Sequence, residues 1–249
     1  INITNTSSLV TGKVTQPTGT TYTGPTPAGG RFIGTPDLPV LPCLPPITDF
    51  TSYPAGSAAI NDIKSTATIT PGAGKYRDMI LSGNQTITFS GTGIYVLNSI
   101  KNSGNFNTFI FDFKNQPGNV IIYIHGNVDL FKLQVQIING GAANRIFAET
   151  HGTGTGATST AAWIHTNGTS GSKNSQWSGT VWAPYGNILV GSGPQNSAIT
   201  GALWTAKQVI LGGNLTMSFA PFPIVVTQPV VDAGQDAVTP CPTGSVTLN

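Results

Sequence analysis

From Ile69 onward, apolar and β-branched residues come in short runs separated by Gly-Asn or Ser-Gly punctuation. The runs are Thr86-Ile-Thr-Phe, Gly93-Ile-Tyr-Val-Leu, Thr108-Phe-Ile-Phe-Asp-Phe, Asn119-Val-Ile-Ile-Tyr-Ile-His, Val128-Asp-Leu and Val135-Gln-Ile-Ile. Segments of this length bounded by turn formers predict β-strands. Ahead of them the pattern lapses. Residues 1–46 are rich in Thr, Pro and Gly, and the run from Gln16 to Gly30 has no apolar period that would define a core strand, so an extended arm is expected there. Residues 55–65, Ala-Gly-Ser-Ala-Ala-Ile-Asn-Asp-Ile-Lys-Ser, hold the only plausible helical turns, and no long helix is expected.

Later in the chain the pattern repeats itself. Gly179-Thr-Val-Trp-Ala-Pro-Tyr-Gly-Asn-Ile-Leu-Val-Gly191 aligns without gaps on Gly201-Ala-Leu-Trp-Thr-Ala-Lys-Gln-Val-Ile-Leu-Gly-Gly213, 22 residues further on. In that register Val181 falls on Leu203, Trp182 on Trp204, Ile188 on Ile210, Leu189 on Leu211 and Gly191 on Gly213, so equal side chains would stack on successive layers, as in a solenoid. The period is too short for a propeller blade and lacks the helix of a leucine-rich repeat. Val120-Ile-Ile-Tyr-Ile-His-Gly-Asn-Val-Asp-Leu130 has the same strand-turn-strand form and supplies a third unit. The predicted fold is therefore all-β: a parallel, right-handed β-helix solenoid over residues 47–223, with the extended arm before it and a strand segment over 224–249 after it. An antiparallel sandwich fits the strand spacing but gives no reason for a matched 13-residue block. Residues from Gly152 to Ser178, a Gly, Thr and Ser run around Trp163, are read as an excursion from the tube, where contacts are often made.

Composition narrows the chemistry. Only 8% of the 249 residues are charged, about a third of the usual share, which removes most chemistry that depends on charge. Thirty-one Gly, 18 Pro and 34 Thr suit tight turns and short strands rather than helices, while 39% hydrophobic residues suffice for a core. A net charge of +2 with no basic cluster argues against nucleic acid, and no apolar stretch approaches the roughly 18 residues of a membrane span. The sequence starts at Ile1 without a leader, consistent with a processed or excised chain, and secretion fits the composition. Cys43 and Cys241 are both flanked by proline, which suits exposed loops better than a redox or zinc motif. A disulfide between them would close a loop of nearly the whole chain, and a bond to a residue beyond Asn249 is the alternative.

Candidate sites are few. Glycosidic bond cleavage needs paired carboxylates. Glu149 is the only glutamate, and Asp129, 20 residues earlier, would stack near it if both lay on one face of a coil, but no Arg or Lys cluster accompanies them. His125, His151 and His165 with Glu149 would make four zinc ligands, although no two histidines have the short spacing of a metal motif. Gly152-Thr-Gly-Thr-Gly156 lacks the Lys-Ser/Thr and the helix of a phosphate loop. No catalytic, metal or cofactor assignment follows. Trp163, Trp177 and Tyr185, on or beside the excursion, are the candidate contacts for a sugar, whereas Trp182 and Trp204 are expected to form a ladder on or within the tube. Thr66-Ala-Thr-Ile-Thr70 and Thr86-Ile-Thr88 hint at regular Thr rows of the kind found in ice-binding solenoids, but the sequence shows no later recurrence.

The blocks Gly179–Ile188 and Ile199–Gly213 resemble the closing rungs of bacterial surface domains of the choice-of-anchor A type and, more distantly, bactofilin-like polymer-forming β-helices. The likeness covers roughly residues 70–220. From Pro229 to Asn249 the sequence resembles the opening strands of a PKD-like or immunoglobulin-like module of Bacteroidota surface proteins; the alternative is a strand segment that pairs with another subunit. The resemblance implies a secreted, surface-attached protein with an adhesive or structural role and no catalytic residues; the reading is a non-catalytic structural protein of the bacterial cell surface or extracellular matrix, and the uncapped solenoid ends add the expectation that it self-associates through open β edges into filaments. A carbohydrate-binding adhesin module and a polysaccharide-degrading β-helix enzyme are the alternatives, and surface glycans the alternative partner.

Overall fold

A computed structural model describes residues 13–16, 18–34, 44–157, 160–168, 173–191, 193 and 195–223. Cys43 and Cys241, and the segment 224–249, lie outside the described residues. The chain divides into two compact units, one of residues 1–43 with 228–249 and one of 44–227. In the first, β1 (Val14–Gln16) pairs in parallel with β2 (Arg31–Ile33), Val14 opposite Arg31 and Gln16 opposite Ile33. The arm expected here is thus not simply extended. Its non-periodic run from Gln16 to Gly30 is the crossover that a parallel pair requires, and it is braced by a hydrogen bond from the Tyr22 hydroxyl to Pro25 O at 2.7 Å.

The second unit is all-β and its sheets are parallel. After β3 (Ala67–Ile69) come β4 (Asp78–Leu81), β5 (Thr86–Ser90) and β6 (Gly93–Leu97), each in a different sheet. The next trio is β7 (Ser99–Asn102), β8 (Asn107–Asp112) and β9 (Val120–Ile124); then β10 (Val128–Phe131), β11 (Leu133–Ile138) and β12 (Ile146–Thr150). They are followed by β13 (Trp163–Thr166), β14 (Ser175–Ser178) and β15 (Thr180–Ala183), then β16 (Ile188–Val190), β17 (Ser197–Gly201) and β18 (Leu203–Thr205), and last β19 (Val209–Leu211) and β20 (Leu215–Phe219). The chain visits the sheets in rotation. Sheet A has the order β4-β7-β10-β13-β16-β19, and sheet C the order β6-β9-β12-β15-β18. Sheet B comprises β3-β5-β8-β11 and a second set, β14-β17-β20, joined where Leu133 N donates to Ser175 Oγ at 3.0 Å.

The register agrees with the repeat in one strand and departs from it in the next. Val181 pairs with Leu203 and Trp182 with Trp204, as expected. Ile188, however, pairs with Val209, Leu189 with Ile210 and Val190 with Leu211, a slip of one residue. The cause is the corner: residues 206–208 connect β18 to β19, one residue fewer than 184–187 between β15 and β16. A gapless alignment cannot see that deletion, because Ile, Leu and Val are interchangeable at these positions. The glycine corner held its register. Gly179 and Gly201 both have φ above +120°, and a Cβ on Gly201 would lie 2.0 Å from Gly179 O.

Short strands alternate inward and outward side chains, and the inward set forms one core between the sheets. Phe89 stacks on Phe111 at 4.9 Å, Phe111 meets Trp177 edge-on at 6.2 Å, and Trp177 meets Trp163 edge-on at 4.9 Å. A polar seam interrupts this core between sheets A and B. Asn107 donates to Asn102, whose amide donates to Phe131 O at 2.8 Å, and the ring Nε2 of His165 meets Ser175 Oγ at 3.0 Å. Burial pushes the pKa of His165 down to about 4, so the imidazole is neutral. Helical structure among the described residues is limited to 3-10 turns at Phe50–Ser52, Ala59–Asn61 and Ala143–Arg145; the second falls in the stretch the sequence pattern allowed.

Candidate functional site

Sheet C carries aromatic and apolar residues on its outward positions, where a solvated sheet face would be polar. Val96, Tyr123, Phe147 and Trp182 are buried there, beneath Phe50, Tyr53 and Phe222. The cover is built from the segment 44–53, whose local geometry is set by Asp49: its carboxylate accepts from Thr51 N at 2.8 Å and starts the 3-10 turn Phe50–Ser52. That turn directs the Phe50 ring onto the sheet. It stacks on His151 at 3.6 Å with the planes 3° apart, and meets His125 at 4.9 Å and Tyr123 at 5.2 Å.

Next to Phe50, the wholly buried Glu149 fastens the segment down. Thr48 N donates to Glu149 Oε1 at 2.9 Å and Thr48 Oγ1 to Oε2 at 2.6 Å. The ring Nε2 of His151 lies 2.9 Å from Oε1, and since a carboxylate only accepts, this nitrogen carries the proton. His125 Nε2 likewise donates to Tyr53 O at 2.9 Å. A buried carboxylate is tolerated when its oxygens are hydrogen-bonded in this way. Both oxygens and one imidazole face are occupied by the chain itself, so the arrangement acts as a clasp.

Sequence reasoning singled out Glu149, His125 and His151 as residue types but missed Thr48 and Phe50. The one available signal was the only glutamate of the chain set within the apolar run Ile146-Phe-Ala-Glu-Thr. The carboxylate pair weighed and set aside in the sequence is not brought together by stacking: Asp129 lies on β10 in sheet A, and Glu149 on β12 in sheet C. The four-ligand set is not assembled either. His165 points into the core at the A–B seam, and among the described residues no group of three or more His, Cys, Asp or Glu is placed to hold a metal. The Gly152–Gly156 loop is held by Asn187, whose N donates to Gly154 O at 2.8 Å and whose amide donates to Thr155 O at 2.6 Å.

The three candidate contact residues separate. Trp163 and Trp177, 0% and 2% exposed, belong to strands β13 and β14 and form the core pair described above, so neither offers a face to a ligand in solution. The stretch read as an excursion over residues 152–178 contains two core strands, β13 and β14, and the apolar content of Trp163-Ile-His and Gln-Trp177 was the cue to strand. Tyr185 is 42% exposed, its ring edge against His151 at 5.0 Å. Trp182 and Trp204 do form an in-register ladder, on the outward face of sheet C.

On sheet A a cleft of about 230 Å³ is lined by Ser99, Lys101, Asn127, Asp129, Ala161 and Ile164, among others. Burial raises the pKa of Asp129, against the opposing charge of Lys101. No family model, no curated protein and no solved structure matches this chain. Among the described residues no helix is long and apolar enough to cross a membrane.

Proposed function

We propose that the chain is a secreted, non-catalytic structural protein of the bacterial cell surface or extracellular matrix, built as a parallel β-helix solenoid that self-associates end to end. Rotation through three parallel stacks of strands, unbroken in sheets A and C and interrupted in sheet B between β11 and β14, supports the β-helix. The resemblance to choice-of-anchor A domains and the low charge support the surface location. The observation that carries self-association is the final circuit. Among the described residues β18, β19 and β20 each have a neighbour on one side only, and they expose Leu211 (60%) and Phe219 (81%), with Val209 and Met217 also open. An unpaired apolar edge is a template for another chain.

Electron microscopy over a concentration series tests this. Filaments or longer rods should form with rising concentration and be lost in Leu211→Asp and Phe219→Asp. Strictly monomeric particles of the unsubstituted protein at high concentration would overturn it.

A further inference from the structure

The outward face of sheet B is unlike the other two. In strand register, Thr68, Thr88, Ile110 and Gln136 form one row across four strands, and Thr86, Thr108 and Gln134 a second. Ser178, Thr200 and Ser218 form a further row on the second set of strands. The Thr rows that looked confined to the early segments therefore recur, as Thr, Ser or Gln, on later strands of the same sheet. Only one outward position on these strands is charged: Asp112, at the end of β8, is buried against Lys114 and Asn139. Sheet A by contrast sets Lys101 and Asp129 side by side on its outward face, and sheet C is covered.

We propose that this face of sheet B binds an uncharged, extended polysaccharide laid along the direction in which the strands stack. An array of hydroxyls and amides without charge matches a ligand that is itself neutral and rich in hydroxyls; a charged polymer would find no counter-charge here. The spacing fits as well. Neighbouring strands are about 4.8 Å apart, so two strands span about 9.6 Å, close to the repeat of a fully extended β-1,4-linked disaccharide, and successive units meet uncharged side chains throughout. Thr methyls and Ile110 face the C–H surface of the rings while the Thr hydroxyls and the Gln136 amide take the sugar hydroxyls; the Gln134 amide nitrogen is engaged with Leu133 O and Asn174 O. Flexible glutamines suit sugar hydroxyls and spoil a rigid match to an ice lattice. The face is present on each copy of the chain, so the inference does not rest on end-to-end assembly.

The test is co-sedimentation of the purified protein, at concentrations where it is monomeric, with microcrystalline cellulose and with chitin. Retention on at least one of them is expected, at least tenfold weaker in Thr88→Lys/Gln136→Lys and unchanged in Tyr185→Ala, with circular dichroism confirming that each variant is folded. Thr88→Ala/Thr108→Ala, which adds no charge, should weaken retention to a lesser degree. No retention on either solid, retention indifferent to the face-B substitutions, or incorporation into growing ice that the same substitutions abolish would each overturn the proposal.

Discussion

Sheets B and C share a backbone plan and differ in what they present outward. Sheet C places Val96, Tyr123, Phe147 and Trp182 on its outer face and draws residues 44–53 over them; sheet B places Thr, Ser and Gln there and bears no comparable apolar cluster. Strand pairing alone therefore does not decide how thick the molecule is at a given sheet. The outward side chains do, because an apolar outer face gains free energy by recruiting chain to cover it, about 25 cal/mol per Å² of apolar surface removed from water, whereas a hydroxyl face gains nothing by leaving water.

The sharpest way to break that contrast is to remove the ring that seals sheet C. Phe50 is buried among Tyr123, His125 and His151, and Phe50→Ala should cost about 3 kcal/mol or more, the range for a buried phenylalanine truncated in a packed site. Chemical denaturation measures it, and enhanced proteolysis within residues 44–53 would show that the loss is local to the cover.

How much of this was legible in the sequence follows the same division. The strands of sheets B and C announced themselves by short apolar runs, and Trp182 over Trp204 was visible because no residue is inserted between the two blocks. Trp163 and Trp177 were misplaced because long loops precede each of them, so neither had a repeat partner to reveal its inward direction. The cover was invisible for a different reason. Leu44-Pro-Pro-Ile-Thr-Asp-Phe50 has no period, and what holds it is a contact between Thr48 and Glu149, 101 residues apart, that only the folded chain creates. Outward rows on sheet B were half visible: the Thr pairs could be read within a strand, but their alignment across strands depends on loop lengths that differ from circuit to circuit.

The polar seam behind sheet B gives the next effect, through pH. The folded-state pKa of His165, about 4, lies below the value near 6.5 of an unfolded chain, so between these values the unfolded state binds a proton that the folded state does not. The stability associated with neutral His165 is complete above pH 6.5 and is lost as pH falls toward 4, by roughly 3 kcal/mol in all. The carboxylates whose pKa values are lowered, Asp62 by Arg77 and Lys64, Asp112 by Lys114 and Asn139, and Asp49 by the Thr51 backbone, respond at more acid pH, below about 3.8. Denaturant midpoints should therefore fall more steeply between pH 7 and 4 in the native protein than in His165→Gln, in which the raised pKa of Asp129 still acts in the opposite sense; equal slopes would remove His165 as the cause.

A smaller step sharpens the role of the clasp on sheet C. Glu149→Gln keeps the shape but removes the charge that accepts from Thr48 and His151, and loss of these charge-assisted bonds should cost about 2 kcal/mol. Amide exchange separates this from a general loosening: Thr48 N should lose protection, while Phe109 N, on β8 between β5 and β11 in sheet B, should not.

The smallest effect belongs to the bare face. Thr88 and Thr108 form no part of the sealed layer, and Thr88→Val or Thr108→Val should leave stability within about 0.5 kcal/mol. If either substitution destabilised the protein as much as Glu149→Gln does, the hydroxyl rows would be serving the fold, and the difference between a face that is covered because it is apolar and a face that stays bare because it is polar would collapse. A near-zero result leaves the hydroxyls free of any structural duty, which is the condition under which a row of them can be retained for a ligand.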